Sequence, residues 1–195
     1  MNVECDLIRA YFEENGFWVR LHEFASETSK IKSHFPFFEI FRSSNSSLVQ
    51  EERFRLFTGD LARYKSSVFG LIDWQASGFS PDLLSNDVRL LKFFRKQIDN
   101  QKVLWAGENL KILMKEDQLK LIVPALPKSE NKTKDLFELL KANGINGVLT
   151  MSSVLENLLR NVSGKPESMG NPSMHLLKLL NLYGLATEPQ LDIFE

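Results

Sequence analysis

The second half of the chain constrains the fold most strongly, because strand and helix patterns alternate there with short links. Leu119–Ala125 is apolar almost throughout and predicts a buried strand, and Gly147–Met151 predicts a second, short strand. Between them, Thr133–Asn143 has the spacing of an amphipathic helix that ends at Gly144. Ser153–Asn161 follows as a helix opened by a Ser-x-x-Glu capping box. This order favours a parallel βαβ unit with a right-handed crossover, and the sequence therefore predicts an α/β fold.

The first half of the chain adds a helix, three strands and a longer helical region. A first helix that ends at a glycine is indicated by apolar residues at helical spacing: Leu7, Ile8, Tyr11, Phe12 and then Gly16. Strands are predicted at Phe17–Val19, at Phe35–Phe41 and at Ser67–Gln75. The pair Ser80–Pro81 is typical of a helix start, and a helical region is predicted from there to Asp99.

Composition limits the class of protein. The chain has 195 residues, of which 43% are hydrophobic and 25% charged, as in an ordinary globular protein of about one domain. The single cysteine, Cys5, excludes a disulfide scaffold and a Cys-rich zinc module. A net charge of −1 argues against general electrostatic binding of nucleic acid. No apolar run reaches the roughly 20 residues of a membrane span and no signal peptide is visible, so we expect a cytoplasmic protein without a membrane segment.

Several common kinds of site lack their residues in the sequence. The three histidines, His22, His34 and His175, lie far apart, which argues against zinc ligation. The nucleophile elbow Gly-x-Ser-x-Gly does not occur, and neither does a phosphate-binding loop nor a Gly-x-Gly-x-x-Gly motif. Hydrolysis by a serine nucleophile and binding of ATP or a dinucleotide therefore have no support.

Acidic residues in two predicted strands are the candidate catalytic residues. Glu39 lies in the apolar strand Phe35–Phe41, and Asp73 lies near the end of the next strand, two positions before Gln75. Alternation along a strand places Asp73 and Gln75 on one face. Carboxylates on adjacent strands, here Glu39 and Asp73, can hold a magnesium ion and orient a water for phosphodiester cleavage. The alternative is that both acids cap strand ends and face solvent.

The helix predicted around Asp87–Ile98 carries a basic stripe. Arg89, Lys92 and Lys96 recur at helical spacing, away from the apolar residues of the same helix. Such a stripe can contact the phosphate backbone of a nucleic acid. The alternative is that it is the solvated face of an amphipathic helix.

The segment 163–172 is rich in Ser, Gly and Pro, which predicts a linker. It divides the chain into a domain at 1–162, the linker, and a C-terminal segment at 173–195 that begins with the helix Ser173–Tyr183. That helix is strongly apolar through Leu176, Leu177, Leu179 and Leu180. These leucines can bind a partner or a membrane, or they can dock the helix on the protein's own core.

The residues after this helix contain a short motif, Gln190-Leu191-Asp192-Ile193-Phe194. Burial of its apolar side chains is favourable, so we expect them to contact a partner or the protein itself. The motif resembles the pentapeptide Gln-Leu-Ser/Asp-Leu-Phe by which bacterial polymerases and repair proteins bind the replicative DNA sliding clamp. The resemblance implies that Gln190 is a polar anchor, that Leu191 is a secondary contact and that Asp192 occupies the Ser/Asp position. Ile193 and Phe194 would fill a pocket of the clamp. Alternatively, the tail packs on the protein's own surface or on a second copy.

The order of the predicted elements resembles the restriction-endonuclease-like fold. The segments Asp6–Phe17 and Leu119–Pro127 are similar to those of bacterial proteins with this fold, and the resemblance extends over residues 4–162. It implies a mixed central sheet flanked by helices. It also implies an acidic residue on one strand and an Asp/Glu-x-Lys motif on the next.

The resemblance assigns roles to the acidic residues. By position, Glu39 corresponds to the first acid and Asp73 to the second, and Glu13 on the first helix is a further candidate metal ligand. Gln75 stands where the lysine is expected, and a glutamine cannot supply its positive charge. The resemblance therefore implies a diverged nuclease fold.

Together these patterns predict a bacterial accessory protein of DNA replication or repair, tethered to the sliding clamp. DNA is a further candidate partner, and Mg²⁺ is the candidate cofactor. Two alternatives remain, an active magnesium-dependent DNA nuclease and a non-catalytic structural or interaction protein. The sequence does not determine the oligomeric state.

Overall fold

The computed structural model describes residues 2–25, 34–43, 53–105, 119–162 and 171–186. In chain order its helices and strands are α1 (Val3–Glu14), β1 (Trp18–Ala25), β2 (His34–Phe41), β3 (Arg55–Leu56), a 3₁₀ helix (Thr58–Arg63), β4 (Ser66–Leu71), α2 (Trp74–Ser77), α3 (Pro81–Leu84), α4 (Asp87–Trp105), β5 (Leu119–Val123), α5 (Glu130–Ala142), β6 (Ile145–Thr150), α6 (Met151–Val162) and α7 (Pro172–Leu182). Within these ranges, no helix has both the length and the apolar character that crossing a bilayer requires.

The described strands form one six-stranded mixed sheet in the order β1-β2-β4-β5-β6-β3. β2 runs antiparallel to both of its neighbours, β1 and β4. The remaining pairs, β4 with β5, β5 with β6 and β6 with β3, are parallel. Helix α5 connects two parallel strands, so the predicted βαβ unit and the α/β class with a mixed central sheet are confirmed.

Helices cover both faces of the sheet, because the central strands carry apolar side chains on both faces. On one face Phe69 and Leu71 of β4 pack in a core with residues of α1, α6 and α7. On the other face Val68 of β4 and Leu121 of β5 pack with residues of α4 and α5. We call these the α1 face and the α4 face.

Several predicted boundaries agree with the structure. Gly16 follows α1 with φ of 81° and Gly144 follows α5 with φ of 79°, a backbone conformation that favours glycine. The predicted capping box of the helix at Ser153 is wrong, because α6 begins at Met151. Thr150 Oγ1 instead accepts a hydrogen bond from the Ser153 backbone N–H at 3.3 Å.

The predicted strand Ser67–Gln75 extends too far. β4 ends at Leu71, and the short helix α2 begins at Trp74. The Asp73 backbone carbonyl accepts from the Ser77 N–H at 3.2 Å, which closes this helical turn. An apolar run alone did not show where the backbone changes from extended to helical.

Helix α7 docks on the protein's own core. Met174 and Leu177 are buried against α1 and α6. The Asn171 side chain, which caps this helix, donates to the Asp6 carbonyl oxygen at 3.2 Å. Leu176 and Leu179 on the outer side of the helix are 53% and 51% exposed. The structure thus shows the docked alternative for the last helix, with only part of its leucines buried.

Leu177→Ala tests this docking. It removes a buried side chain and is expected to lower the free energy of unfolding by about 2–4 kcal/mol. Leu176→Ala, the matched control at the preceding residue, should change it by less than about 0.5 kcal/mol. Urea denaturation followed by circular dichroism measures both values. Equal effects of the two substitutions would contradict the docked helix.

Candidate functional site

The carboxyl ends of three parallel strands meet at one edge of the sheet. Asp73 follows β4, Pro124 follows β5, and Met151 and Ser152 follow β6. The N-terminus of α1 lies at the same edge, because the Asn2 side chain contacts Asp73. Ligand sites of α/β proteins are commonly located beyond the carboxyl ends of the strands, so this edge is the candidate location of a site.

Two buried carboxyl groups, those of Glu4 and Asp73, lie together here. The exposed fraction is 9% for Glu4 and 7% for Asp73. Asn2 Nδ2 donates to Asp73 Oδ2 at 2.6 Å, while Asn2 Oδ1 caps α1 by accepting from the Glu4 N–H at 3.0 Å. The Trp74 backbone N–H donates to Glu4 Oε2 at 3.1 Å. The first turn of α1 and the segment after β4 are therefore joined through this acid pair.

The environment of Glu4 favours its protonated form. Burial raises the pKa of Glu4 from 4.5 to about 7, and the negative charge of Asp73 adds to the rise. The hydrogen bond from the Trp74 N–H acts in the opposite direction. When Glu4 is protonated, its O–H donates to the Asp73 carboxylate, and the hydrogen bond between the side chains raises the pKa further. Glu4 therefore keeps its proton to a higher pH than an ordinary surface carboxyl group does.

A cleft of about 590 Å³ opens beside the acid pair. Its polar lining residues are Asn2, Glu4 and Ser152. Its apolar lining residues come from α1, from the segment after β4, and from the segments after β5 and β6: Val3, Leu7, Trp74, Phe79, Pro124, Met151 and Leu155. The Trp74 side chain is 52% exposed and remains free to contact a ligand. An apolar cleft with a few polar groups at one place is typical of small-molecule sites.

Glu39 lies away from this edge. Its Oε2 atom lies 3.0 Å from His22 Nε2 and 3.5 Å from Arg20 Nη1. Glu39 pairs with Val68, a residue of the α4 face, whereas Asp73 contacts the first turn of α1. Asp73 is five residues beyond Val68, which amounts to roughly 16 Å along an extended chain.

The structure therefore does not bring the predicted pair Glu39 and Asp73 together, and they do not fit a shared magnesium ion. The sequence placed Glu39 and Asp73 on adjacent strands, which suggested that their side chains could meet. The register of the strands instead separates the two residues, and their side chains lie on opposite faces of the sheet. Across the described ranges, no group of three or more His, Cys, Asp or Glu residues could hold a metal ion.

The structure also places Gln75 and Glu13 away from the positions that the sequence predicted for them. Gln75 lies in α2, so the alternation that was expected to place it beside Asp73 on a strand does not apply. Glu13 lies in the last turn of α1 and pairs with Arg9 at 2.8 Å, largely exposed. It is nine residues from Glu4, or about 14 Å along the helix axis.

The remaining predicted site residues are those of the basic stripe and of the tail motif. Arg89, Lys92 and Lys96 are exposed on α4, which covers the α4 face rather than the cleft. The tail motif Gln190, Leu191, Asp192, Ile193 and Phe194 lies outside the described residues, and so does 163–170 of the predicted linker.

Glu4 is the site residue that sequence reasoning missed, although a signal for it exists. It precedes Ile8 by four positions and Tyr11 by seven, so it falls on the apolar stripe of the first helix. Both of those residues are buried in the core. A carboxylate at such a position has to be protonated or paired, which marks it as a candidate site residue.

Comparison of the chain with protein-family models, with curated proteins and with solved structures finds no match. Inferences about function therefore depend on the sequence motifs and on the geometry of the described residues.

The pKa of Glu4 is directly measurable. A carbon-13 NMR titration of the full chain should give a Glu4 carboxyl pKa of about 7. Asp73→Asn removes the neighbouring negative charge and should lower the Glu4 pKa toward its ordinary value. Asp135→Asn, on α5 at the opposite face, is the control and should leave the Glu4 pKa unchanged. A Glu4 pKa near 4.5 in the unaltered chain would contradict the buried pair.

Glu4 should also make stability depend on pH. Its pKa is about 7 in the folded protein and near 4.5 in the unfolded chain, so the unfolded chain loses this proton first as the pH rises. The contribution of Glu4 to the free energy of unfolding is complete below about pH 4.5 and is lost by about pH 7. Glu4→Gln cannot ionise and should flatten the stability profile in this interval, as measured by urea denaturation at a series of pH values. An unchanged slope would contradict the assignment.

Proposed function

We propose that this protein is an accessory factor of bacterial DNA replication or repair that binds the DNA sliding clamp. The observation that carries the proposal is the motif Gln190–Phe194, in which Ile193 in place of leucine is the one departure from the clamp-binding consensus. Its glutamine can anchor an extended peptide by hydrogen bonds, and its two final apolar side chains can fill a pocket. Burial of a few apolar side chains, less the cost of ordering the peptide, corresponds to a dissociation constant on the order of micromolar.

The order of the helices and strands described within residues 4–162 supports a restriction-endonuclease-like fold as part of this proposal. Helix α1 is followed by the antiparallel strands β1 and β2, by β3, which pairs with β6 at the other edge of the sheet, and by β4, which runs antiparallel to β2. Helix α4 and the parallel strand β5 follow. Apart from β3, this is the order of elements on which the resemblance in the sequence was based. The resemblance concerns element order and strand direction, and it carries no catalytic assignment by itself.

A non-catalytic role is favoured over DNA cleavage. Glu39 and Asp73 lie on different faces of the sheet, and Gln75 replaces the lysine that would polarise a water. The proposed role therefore needs tethering rather than metal-dependent hydrolysis. Tethering at the clamp raises the local concentration near DNA, which lets a protein with a net charge of −1 act there through a small basic surface. The exposed residues Arg89, Lys92 and Lys96 of α4 are the candidates for that surface. Such a role would be carried out in the bacterial cytoplasm.

Surface plasmon resonance with the full chain, attached through its N-terminus, tests clamp binding. The unaltered chain should bind a bacterial sliding clamp with a dissociation constant on the order of micromolar. Phe194→Ala should weaken binding by about tenfold or more, because the largest buried side chain of a short motif dominates its affinity. Thr187→Ala, outside the motif, should bind like the unaltered chain.

Two outcomes would contradict the proposal. Binding that Phe194→Ala leaves unchanged would exclude the motif as the contact. Absence of binding, together with a lower melting temperature for Phe194→Ala, would show that the tail packs on the protein itself or on a second copy.

A further inference from the structure

We propose that the outer face of α7 is a second contact with the sliding clamp, beside the contact that the motif Gln190–Phe194 makes. The outer face consists of the exposed apolar residues of α7 and of the turn after it: Leu176, Leu179, Leu182, Tyr183 and Leu185. This inference rests on the proposed function and deepens it, because it names a second part of the same interface. Its support is the exposure of the face, its size and its closeness along the chain to the motif.

The outer face is exposed although its side chains are large and apolar. Leu182, Tyr183 and Leu185 are the most exposed of them, at 78%, 73% and 75%. Met174 and Leu177, on the other side of the same helix, are buried against α1 and α6. Contiguous apolar patches on a protein surface mark interaction sites, because water does not favour them. The outer face is therefore a candidate surface for a partner.

A groove between α6 and α7 borders the outer face. It has a volume of about 420 Å³ and gives room for a few side chains of a partner. Its described lining combines apolar side chains with one amide and one amine: Val162, Lys178, Leu179, Asn181 and Leu182. Protein interfaces are commonly centred on apolar anchors that fill such a groove.

The outer face is small for a partner that binds there alone. Its five side chains expose several hundred Å² of apolar surface, whereas each partner in a stable complex buries about 800 Å². A second contact needs less area, because the first contact supplies the local concentration. The size therefore favours a partner that a neighbouring segment already binds over a second copy of the chain, which would associate through this face alone.

The motif that we assign to the clamp begins close to the outer face along the chain. Five residue steps separate Leu185 from Gln190, and a fully extended chain of that length spans at most about 18 Å. Whenever the motif is bound, the end of α7 lies within this distance of the clamp surface. So short a connection gives the outer face an effective concentration on the order of millimolar at the clamp. An apolar contact too weak to form by itself then adds to the affinity.

The charge of α7 argues against a membrane surface as the occupant. Between Pro172 and Leu182 the helix carries one lysine, Lys178, and one histidine, His175, and no arginine. Helices that bind membrane surfaces typically have a polar face rich in lysine and arginine. A protein surface does not require such a basic face, so a protein is the favoured occupant.

Surface plasmon resonance with the full chain, attached through its N-terminus, tests the second contact. The double variant Leu179→Ala/Leu182→Ala should weaken binding of a bacterial sliding clamp by about three- to tenfold, as expected for loss of a weak contact at millimolar effective concentration. Leu182→Ala alone, at the most exposed position, should weaken binding in the same direction. Circular dichroism should show the fold unchanged in both variants, because the substituted side chains are largely exposed.

Leu84→Ala/Val88→Ala is the matched control. Leu84 and Val88 are 43% and 54% exposed, and they lie on α3 and α4 at the other face of the sheet. This variant removes a similar amount of exposed apolar surface and should bind the clamp like the unaltered chain. Phe194→Ala reports separately on the motif.

The outcomes distinguish this inference from the proposed function. Clamp binding that requires Phe194 and is unchanged in Leu179→Ala/Leu182→Ala would overturn the second contact and leave the motif in place. Absence of binding by the unaltered chain would overturn both. Tighter binding by the double variant would show that the outer face holds the chain's own tail in competition with the clamp, and it would also overturn the second contact.

Size-exclusion chromatography with light scattering tests a second copy as the occupant. The unaltered chain and Leu179→Ala/Leu182→Ala should have the same mass at micromolar concentration. A dimer of the unaltered chain that the double variant dissociates would assign the outer face to a second copy and would overturn the proposal.

Discussion

The central strands β4 and β5 are apolar on both faces, and the rest of the fold depends on covering them. Phe69 and Leu71 face one side of β4 and Val68 faces the other, so a single layer of helices cannot bury this strand. Helices α1, α6 and α7 cover one face, and α4 and α5 cover the other. The antiparallel strands β1 and β2 extend the sheet at one edge, where Arg20, His22 and Glu39 form a partly exposed polar cluster.

This covering also determines where the acid pair is formed. Helix α1 packs with its buried stripe on the sheet, and the stripe runs from Tyr11 and Ile8 back to Glu4 in the first turn. The N-terminus of the helix lies at the carboxyl ends of the parallel strands, where Asp73 follows β4. Burial of Glu4 and the negative charge of Asp73 beside it disfavour the ionised form of Glu4, and its pKa is raised to about 7. The Asn2 side chain and the Trp74 backbone N–H reduce this cost by hydrogen bonds.

Prediction from sequence succeeded where the determinants are local. Gly16 and Gly144 end helices because their positive φ is available to glycine, and neighbouring residues are enough to indicate this. The alternation of strand and helix after Leu119 indicated a parallel unit because each pattern is visible within one element. The predicted strand that ends at Gln75 was too long, since Trp74 and Gln75 belong to α2. At this point the backbone N–H of Trp74 donates to Glu4, a residue 70 positions away in the sequence, and a local pattern does not indicate such a contact.

The candidate site shows the same division. The sequence by itself determined the α/β class, the helix ends at glycine, the apolar stripe of the first helix and the presence of the motif Gln190–Phe194, because each is a pattern of neighbouring residues. Only the tertiary structure decided that Asp73 meets Glu4 rather than Glu39. That choice depends on strand register, on the face of the sheet and on the packing of α1 against β4. These are relations between residues about 70 positions apart, and they are set by the joint burial of the whole core rather than by local pattern.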